Sequence, residues 1–167
     1  MTTKVIPLTG TYPTTPIVFY SDKSFDKVWD NIIDMFAQKG ISIRVIDRTS
    51  GLIVSDKSKL SWTFEDYKNG KFIKDKVVKF DKDAFVVLEQ MIDPWTKKPF
   101  SPDPVTGDWN VRIKKDGDRT SINVNLNNIN ATYQRDYYTQ NHLTFAAIEV
   151  KGKTTGVFEK TIYDIVK

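Results

Sequence analysis

Residues 24–56, SFDKVWDNIIDMFAQKG followed by ISIRVIDRTSGLIVSD, decide the fold. Phe25, Val28, Trp29, Ile32, Ile33 and Phe36 recur at the i, i+3, i+4, i+7, i+8, i+11 spacing, which gathers them on one stripe of a helix. Ser24 is placed to cap that helix, because its hydroxyl can accept a backbone N–H of the first turn. Asp26 follows where the positive end of the helix dipole favours an acid, and Gly40 is the expected left-handed stop. Directly after it, Ile41, Ile43 and Val45 alternate with Ser42 and Arg44, the period of a half-buried strand. Arg48 to Gly51 supplies a turn, and Leu52 to Ser55 returns as a second strand.

Outward from this core, residues 1–16 are rich in Thr and Pro and are expected to form an extended leader, with 17–167 as a single α+β domain. Ile17 to Tyr20 is a short strand entering the helix. Leu60, Trp62 and Phe64 alternate with Ser61, Thr63 and Glu65 and predict a third strand with large inward side chains. Asn69-Gly70 is a turn signal, and Phe72 to Phe80 suits an edge strand whose lysines discourage pairing with another molecule. In Ala84 to Ile92 the residues Phe85, Val86 and Val87 favour strand over helix. Residues 93–107 hold four prolines and predict a loop.

The clearest β signal comes next. Trp109, Val111 and Ile113 alternate with Asn110, Arg112 and Lys114, while Ile122, Val124 and Leu126 alternate with Ser121, Asn123, Asn125 and Asn127. Asp116-Gly117 between them favours a two-residue type I′ turn. That turn pairs Ile113 with Thr120, Val111 with Ile122 and Trp109 with Val124, at the expense of placing Lys114 opposite Arg119. The polar face carrying Asn110, Arg112, Ser121, Asn123, Asn125 and Asn127 is expected to lie open to water. Asn128 to Asn141 reads as a polar connection, Leu143 to Val150 as a strand, and Gly156 to Val166 as a closing helix striped by Phe158, Ile162, Ile165 and Val166. The predicted fold class is therefore α+β: an antiparallel sheet with an N-terminal and a C-terminal helix packed on one face.

Composition narrows the function classes. The 167 residues suffice for a core without disulfides, and the absence of cysteine removes thiolate chemistry. The net charge of +4 suggests nucleic acid at first sight. Between Glu65 and Asp83, however, the lysines alternate with acids, the pattern of a solvated surface rather than of a phosphate-binding stripe. No apolar run reaches the roughly 18 residues of a membrane-spanning helix, and residues 1–20 lack the apolar core of a signal peptide. A single histidine, His142, rules out histidine-based triads and multi-histidine metal sites, and its place in the polar connection makes it a surface residue. No phosphate-cradling glycine motif occurs. Asp103 and Asp108 flank Pro-Val-Thr-Gly without the ligand spacing of a calcium loop, and Asn130-Ala131-Thr132 is a chance glycosylation match. Trp29, Trp62 and Trp109 belong to apolar stripes, whereas Trp95 and Phe100 lie in the proline-rich loop, where they can contact a partner or pack down on the sheet. The expectation is a non-catalytic chain with no catalytic, cofactor-binding or metal-binding residues and no cofactor.

The helix–hairpin stretch 24–56 and the ending TTGVFEKTIYDIVK resemble a family of bacterial cell-envelope lipoproteins. The layout is similar to the helix-grip module of the C component of the outer-membrane barrel-assembly machinery. DPVTGDWNVRIK and TSINVNLNNI also resemble uncharacterised envelope proteins of Bacteroidetes. The resemblance implies a cell-envelope binding or assembly module, in periplasm or outer membrane, whose partner is another envelope protein rather than nucleic acid. It carries no catalytic residues over. The lipidated cysteine of such proteins does not occur in this sequence, so the expected membrane contact is through an anchor outside it. Two alternatives follow from the same pattern: a carrier holding an apolar ligand between helix and sheet, which requires a cavity of several hundred Å3 there, and a protein of the cytoplasm.

Overall fold

The computed structural model describes residues 4–65, 81–94, 96–139 and 142–167, with 133–139 and 142–148 described by their backbone alone. The expected Asn69-Gly70 turn, the Phe72–Phe80 edge strand and Trp95 lie outside the described residues. The order is β1 (Lys4–Ile6), β2 (Ile17–Ser21), α1 (Phe25–Gln38), β3 (Ile43–Asp47), β4 (Leu52–Ser55), β5 (Ser58–Lys59), β6 (Trp62–Thr63), β7 (Val86–Leu88), β8 (Gln90–Ile92), β9 (Val105–Asp116), β10 (Arg119–Thr139), β11 (His142–Val150), β12 (Gly152–Thr154) and α2 (Val157–Val166). The chain is α+β, with mostly antiparallel sheets and two helices, as the sequence predicts.

Helix α1 begins at Ser24, whose side chain accepts the Lys27 N–H, and ends before Gly40 at φ +67°. Val28, Trp29, Ile32 and Phe36 are buried, with Met35 beside them; Phe25 and Ile33 sit half-buried at the margins of the stripe. Arg48 of the following turn reaches back to Asp26 at 2.7 Å and lies over the Trp29 ring, which holds hairpin and helix together. The exposed ion pair adds little by itself.

Strand β3 departs from its expected alternation. A bulge between Ile43 and Val45 shifts the register, so Val45 faces outward at 40% exposure and Ile46 pairs with buried Ile53. The large sheet runs β3–β4–β9–β10, and the far edge of β10 carries β2 along one part and β11 along another. Helix α1 thus links one border of this sheet to the other.

The β9–β10 hairpin closes two residues away from the expected register. Arg119 pairs with Asp116, Ile122 with Ile113, Val124 with Val111 and Leu126 with Trp109. Gly117 and Asp118 form the turn, and only the glycine has positive φ (59°), the requirement of a II′ rather than an I′ turn. Charge explains the choice: Arg119 meets Asp116, and the like-charge Lys114–Arg119 pair is avoided. A shift of two keeps every side chain on its face, so the predicted apolar side survives intact.

Residues 128–141 are a second correction. Instead of a connection, β10 runs on to Thr139 and pairs with β11 from Ala131↔Val150 to Thr139↔His142. A backbone ladder does not need apolar alternation when a partner strand supplies the hydrogen bonds, so polarity alone misled here. His142 consequently starts a strand. The third expected strand is shorter than its alternation suggests: only Trp62–Thr63 forms strand, paired in parallel with β7, which pairs with β12 in a separate small sheet, and the polar Thr63 and Glu65 are buried too. Phe64 is buried and Trp62 half-buried beside that smaller layer, whereas Leu60, also buried, follows β5 along the large sheet and donates its N–H to the Val105 carbonyl of β9.

Within residues 84–92 strand runs over Val86–Leu88 and Gln90–Ile92, broken at Glu89, with Ala84 and Phe85 leading in. The proline-rich segment yields to β9 at Val105, and Phe100 packs on the core. Residues 4–6 are extended, and they pair with β8.

Both helices cover the apolar side of the β9–β10 hairpin. Phe158 of α2 stacks on Trp109 with ring centres 3.7 Å apart and meets Phe36 and Phe85 edge-on. The last turn of α2 is held by the β2–α1 junction: the Ser21 hydroxyl donates to the Val166 carbonyl, and Lys23 Nζ and Asn31 Nδ2 donate to that of Ile165. These bonds satisfy C-terminal carbonyls that a helix leaves unpaired.

Candidate binding cleft

The chain between β1 and β2 crosses the end of the sheet as a strap. Pro7, Pro13 and Pro16 restrict its backbone and withhold the N–H groups a sheet ladder would need, and a single carboxylate fastens it. Glu65, 8% exposed, accepts the N–H groups of Thr9 and Gly10, the Thr9 hydroxyl and the Tyr12 hydroxyl, the last at 2.6 Å. Burial raises the carboxyl's pKa, but the Tyr12, Thr9 and Gly10 donors together outweigh it and hold the group below its ordinary 4.5. The stabilisation is therefore complete above pH 4.5 and is lost as pH falls through the lower folded value. Glu65→Ala is expected to cost about 1.5–3 kcal/mol, the range for hydrogen bonds to a charged group. Denaturant unfolding measures the loss, and hydrogen exchange should rise first at Thr9 and Gly10.

Beneath the strap lies a cleft of about 930 Å3. Its walls are the strap residues Pro7, Leu8 and Tyr12–Thr15 on one side and Leu126–Ile129 of β10 on the other, with Glu149–Thr154 closing the base. Two features of β10 shape it. Its register with β9 shifts between Asn127 and Asn130, and Asn128 stands at φ +52°, a conformation asparagine tolerates better than most residues. Asn128 Nδ2 donates to Asp108 Oδ1, which fixes the bulge. The charged residues lining the cleft, Glu89, Glu149, Lys151 and Lys153, balance in sign.

At the base, the Thr154 hydroxyl donates to Glu159, the first-turn acid of α2, at 2.8 Å. Glu159 is 2% exposed, and burial raises its pKa despite its own backbone N–H and Thr154. The sign is opposite to that of Glu65. Stability falls as pH rises from 4.5 through the raised folded value, because the folded state binds the proton more tightly. Glu159→Gln keeps a hydrogen-bonding partner for Thr154 and removes the buried charge. It should stabilise the protein at neutral pH by on the order of 1 kcal/mol and flatten the melting temperature between pH 4.5 and 7.

The polar hairpin face is neither sealed nor wholly wet. Arg112 is exposed, while Asn110, Ser121, Asn123, Asn125 and Asn127 are half-buried, and Asn125 Nδ2 donates to Asn127 Oδ1. The Asn110 Oδ1 atom is enclosed without a hydrogen-bond partner. Register adds apolar neighbours that the sequence reading did not place there: Val18 and Tyr20 stand opposite Asn123 and Ser121, and Val45, Leu52 and Val54 continue the same face.

Of the other residues singled out in the sequence, Asp103 is exposed in the loop. Asp108 is not a loop residue: β9 starts at Val105, and the side chain is 8% exposed against Asn128. Asn130, Ala131 and Thr132 lie within β10. Trp109 is fully buried and Trp29 nearly so. Among the described residues, no group of three or more His, Cys, Asp or Glu can hold a metal ion. Sequence reasoning singled out Asn127 on the polar hairpin face but missed Thr14, Thr15 and Asn128. The only local signal was Tyr-Pro-Thr-Thr-Pro, a stiff polar run too short to suggest a wall.

No family model matches the chain, and no curated protein matches it in sequence.

Proposed function

We propose that this chain is a non-catalytic binding or assembly module of the cell envelope, with the strap cleft as its contact site. The observation that carries the reading is the cleft itself. It is roomy, is walled by a fastened strap on one side and a bulged strand on the other, and mixes aliphatic, amide and charged residues of balanced sign. That lining is at least as polar as it is apolar, which suits a partner that brings hydrogen-bonding groups of its own rather than a purely apolar ligand. The helix-grip layout and the envelope setting rest on the resemblance of residues 24–56 and of the closing helix. The alternative, an apolar carrier, places its ligand between helix and sheet. There Phe36, Trp109, Val111, Ile122 and Phe158 are all 0% exposed, which favours the cleft over an internal site.

The test is site-specific photo-cross-linking in cells that make the protein. A photoreactive residue replaces Thr14 in the cleft or, as a control, Asn123 on the outer sheet face. A discrete adduct from position 14 that is absent from position 123 supports the reading. Adducts from 123 alone, or from neither position, would overturn it.

A further inference from the structure

We infer that the Asn125–Asn128 edge of β10 receives a short extended polypeptide segment, which adds itself to the sheet inside the cleft. The inference rests on the binding role proposed for that cleft and names its partner class.

The argument begins with the ladder. One edge of β10 is paired with β9 on both sides of the bulge. The other edge is taken by β2 up to Val124↔Ile17 and by β11 from Ala131↔Val150 onward. Between those two partners, among the described residues, no strand pairs with β10 on this edge. Both flanking chains turn away from it there. Before Ile17 comes Pro16, which has no N–H with which to extend the β2 ladder, and Thr14 and Thr15 then form the far wall of the cleft. On the other flank Gly152 still packs by Ile129, since a methyl group on it would lie 3.2 Å from that side chain, and β12 then joins β7 instead. The gap proper is Asn125–Asn128, of which Asn125–Asn127 gives about 10 Å of extended chain at 3.3 Å per residue before the left-handed Asn128.

An interrupted edge selects its occupant by backbone geometry. A strand edge offers alternating N–H and C=O groups at the strand repeat, and another extended backbone matches that spacing. Side-chain seats lie on both sides, with Leu8 and Leu126 apolar and Asn127 polar. The balanced charges of Glu89, Glu149, Lys151 and Lys153 give no net attraction for a polyanion, which argues against nucleic acid as the occupant. The bulge at Asn128 twists the edge locally, so that it admits a short segment and resists open-ended sheet pairing.

The probe is a random heptapeptide library displayed on phage, selected against the full chain, with the recovered sequence then made synthetically. Its binding is followed by amide shifts of the 15N-labelled protein. The expected result is shifts centred on Asn125–Asn128, Thr14 and Thr15. N-methylation of alternate peptide amides should weaken binding by about tenfold or more, which corresponds to about 1.4 kcal/mol. Thr14→Trp, a filling of the cleft at an exposed position, should do the same while leaving the far-ultraviolet circular dichroism unchanged. Failure to recover a binder, shifts located elsewhere, or equal binding of the N-methylated peptide would overturn the inference. Concentration-dependent self-association with the same shifts, in the absence of peptide, would instead assign the edge to a second copy. A parallel screen with monosaccharides and single amino-acid amides separates the two levels. Fragments that shift Leu126–Ile129 while peptides do not would leave the cleft a binding site and reject the strand; silence in both screens would reject both.

Discussion

Phe158→Ala is expected to cost about 3–5 kcal/mol, the range for truncating a fully buried aromatic. The site has little freedom to collapse. Phe158 stacks on Trp109 at 3.7 Å from one side, while Phe36 of α1 and Phe85 at the entry to β7 close on it edge-on from others. All but Phe85, which is half-buried, are 0% exposed. Removing the ring therefore strips contacts from both helices, from the large sheet and from the segment entering β7 at once, and the neighbours cannot all move into the space. Phe158→Leu retains most of the volume and should cost less, losing chiefly the aromatic contacts, about 0.5–1.5 kcal/mol each. Lys160→Ala, on the exposed side of the same helix where Lys160 pairs with Asp164, should change stability by no more than about 0.5 kcal/mol. Denaturant unfolding of the three variants provides the ranking. A loss below about 1 kcal/mol for Phe158→Ala would mean that the junction is not the centre of the core.

That junction was partly legible in the sequence. The 3.6-residue stripes of α1 and α2 and the period of two in β9 and β10 name Phe36, Phe158 and Trp109 as inward residues. They do so because burial of a stripe is a local pattern with a global cause. What the stripes do not carry is which strand meets which. Residues 128–139 form strand because β11 returns beside them, a long-range event that leaves little mark on a polar segment such as Tyr133–Thr139. Likewise Trp62 alternates with polar residues in sequence, yet it belongs to the small sheet and is less buried than Thr63 next to it, since alternation in sequence names no partner and loses its meaning where both faces are covered. The hairpin register fell between these cases: parity followed from the pattern, and the choice within that parity followed from opposite charges at Arg119 and Asp116. The cleft was the least legible feature. Its walls are defined by strands ending, at Ile17 and Val150, and an absent pairing has no composition of its own.

Gly51→Ala should be comparably damaging although it adds only one carbon. Gly51 closes the turn between β3 and β4 at φ +72°, where an L-residue with a Cβ is strained by about 1–2 kcal/mol. Space compounds the conformational cost. A Cβ built at Gly51 would lie 1.8 Å from the Ile113 carbonyl oxygen and 2.9 Å from its carbon, both backbone atoms of the central strand β9. The same residues are joined by the bond from Ile113 N–H to the Gly51 carbonyl at 2.8 Å, so relief of the contact requires that this bond lengthen or break. With overpacking worth about 1–3 kcal/mol, the total comes to roughly 2–5 kcal/mol. Gly117 supplies the control. It too has positive φ, at 59°, but a Cβ there meets nothing within 4 Å, so Gly117→Ala should show the conformational cost alone. Urea denaturation of the two variants isolates the close approach as the difference between them. Equal losses would mean that the β4–β9 seam yields freely at Gly51, whereas a larger loss at Gly51, with faster amide exchange at Ile113, identifies the seam as the rigid joint between the N-terminal hairpin and the sheet that carries the cleft.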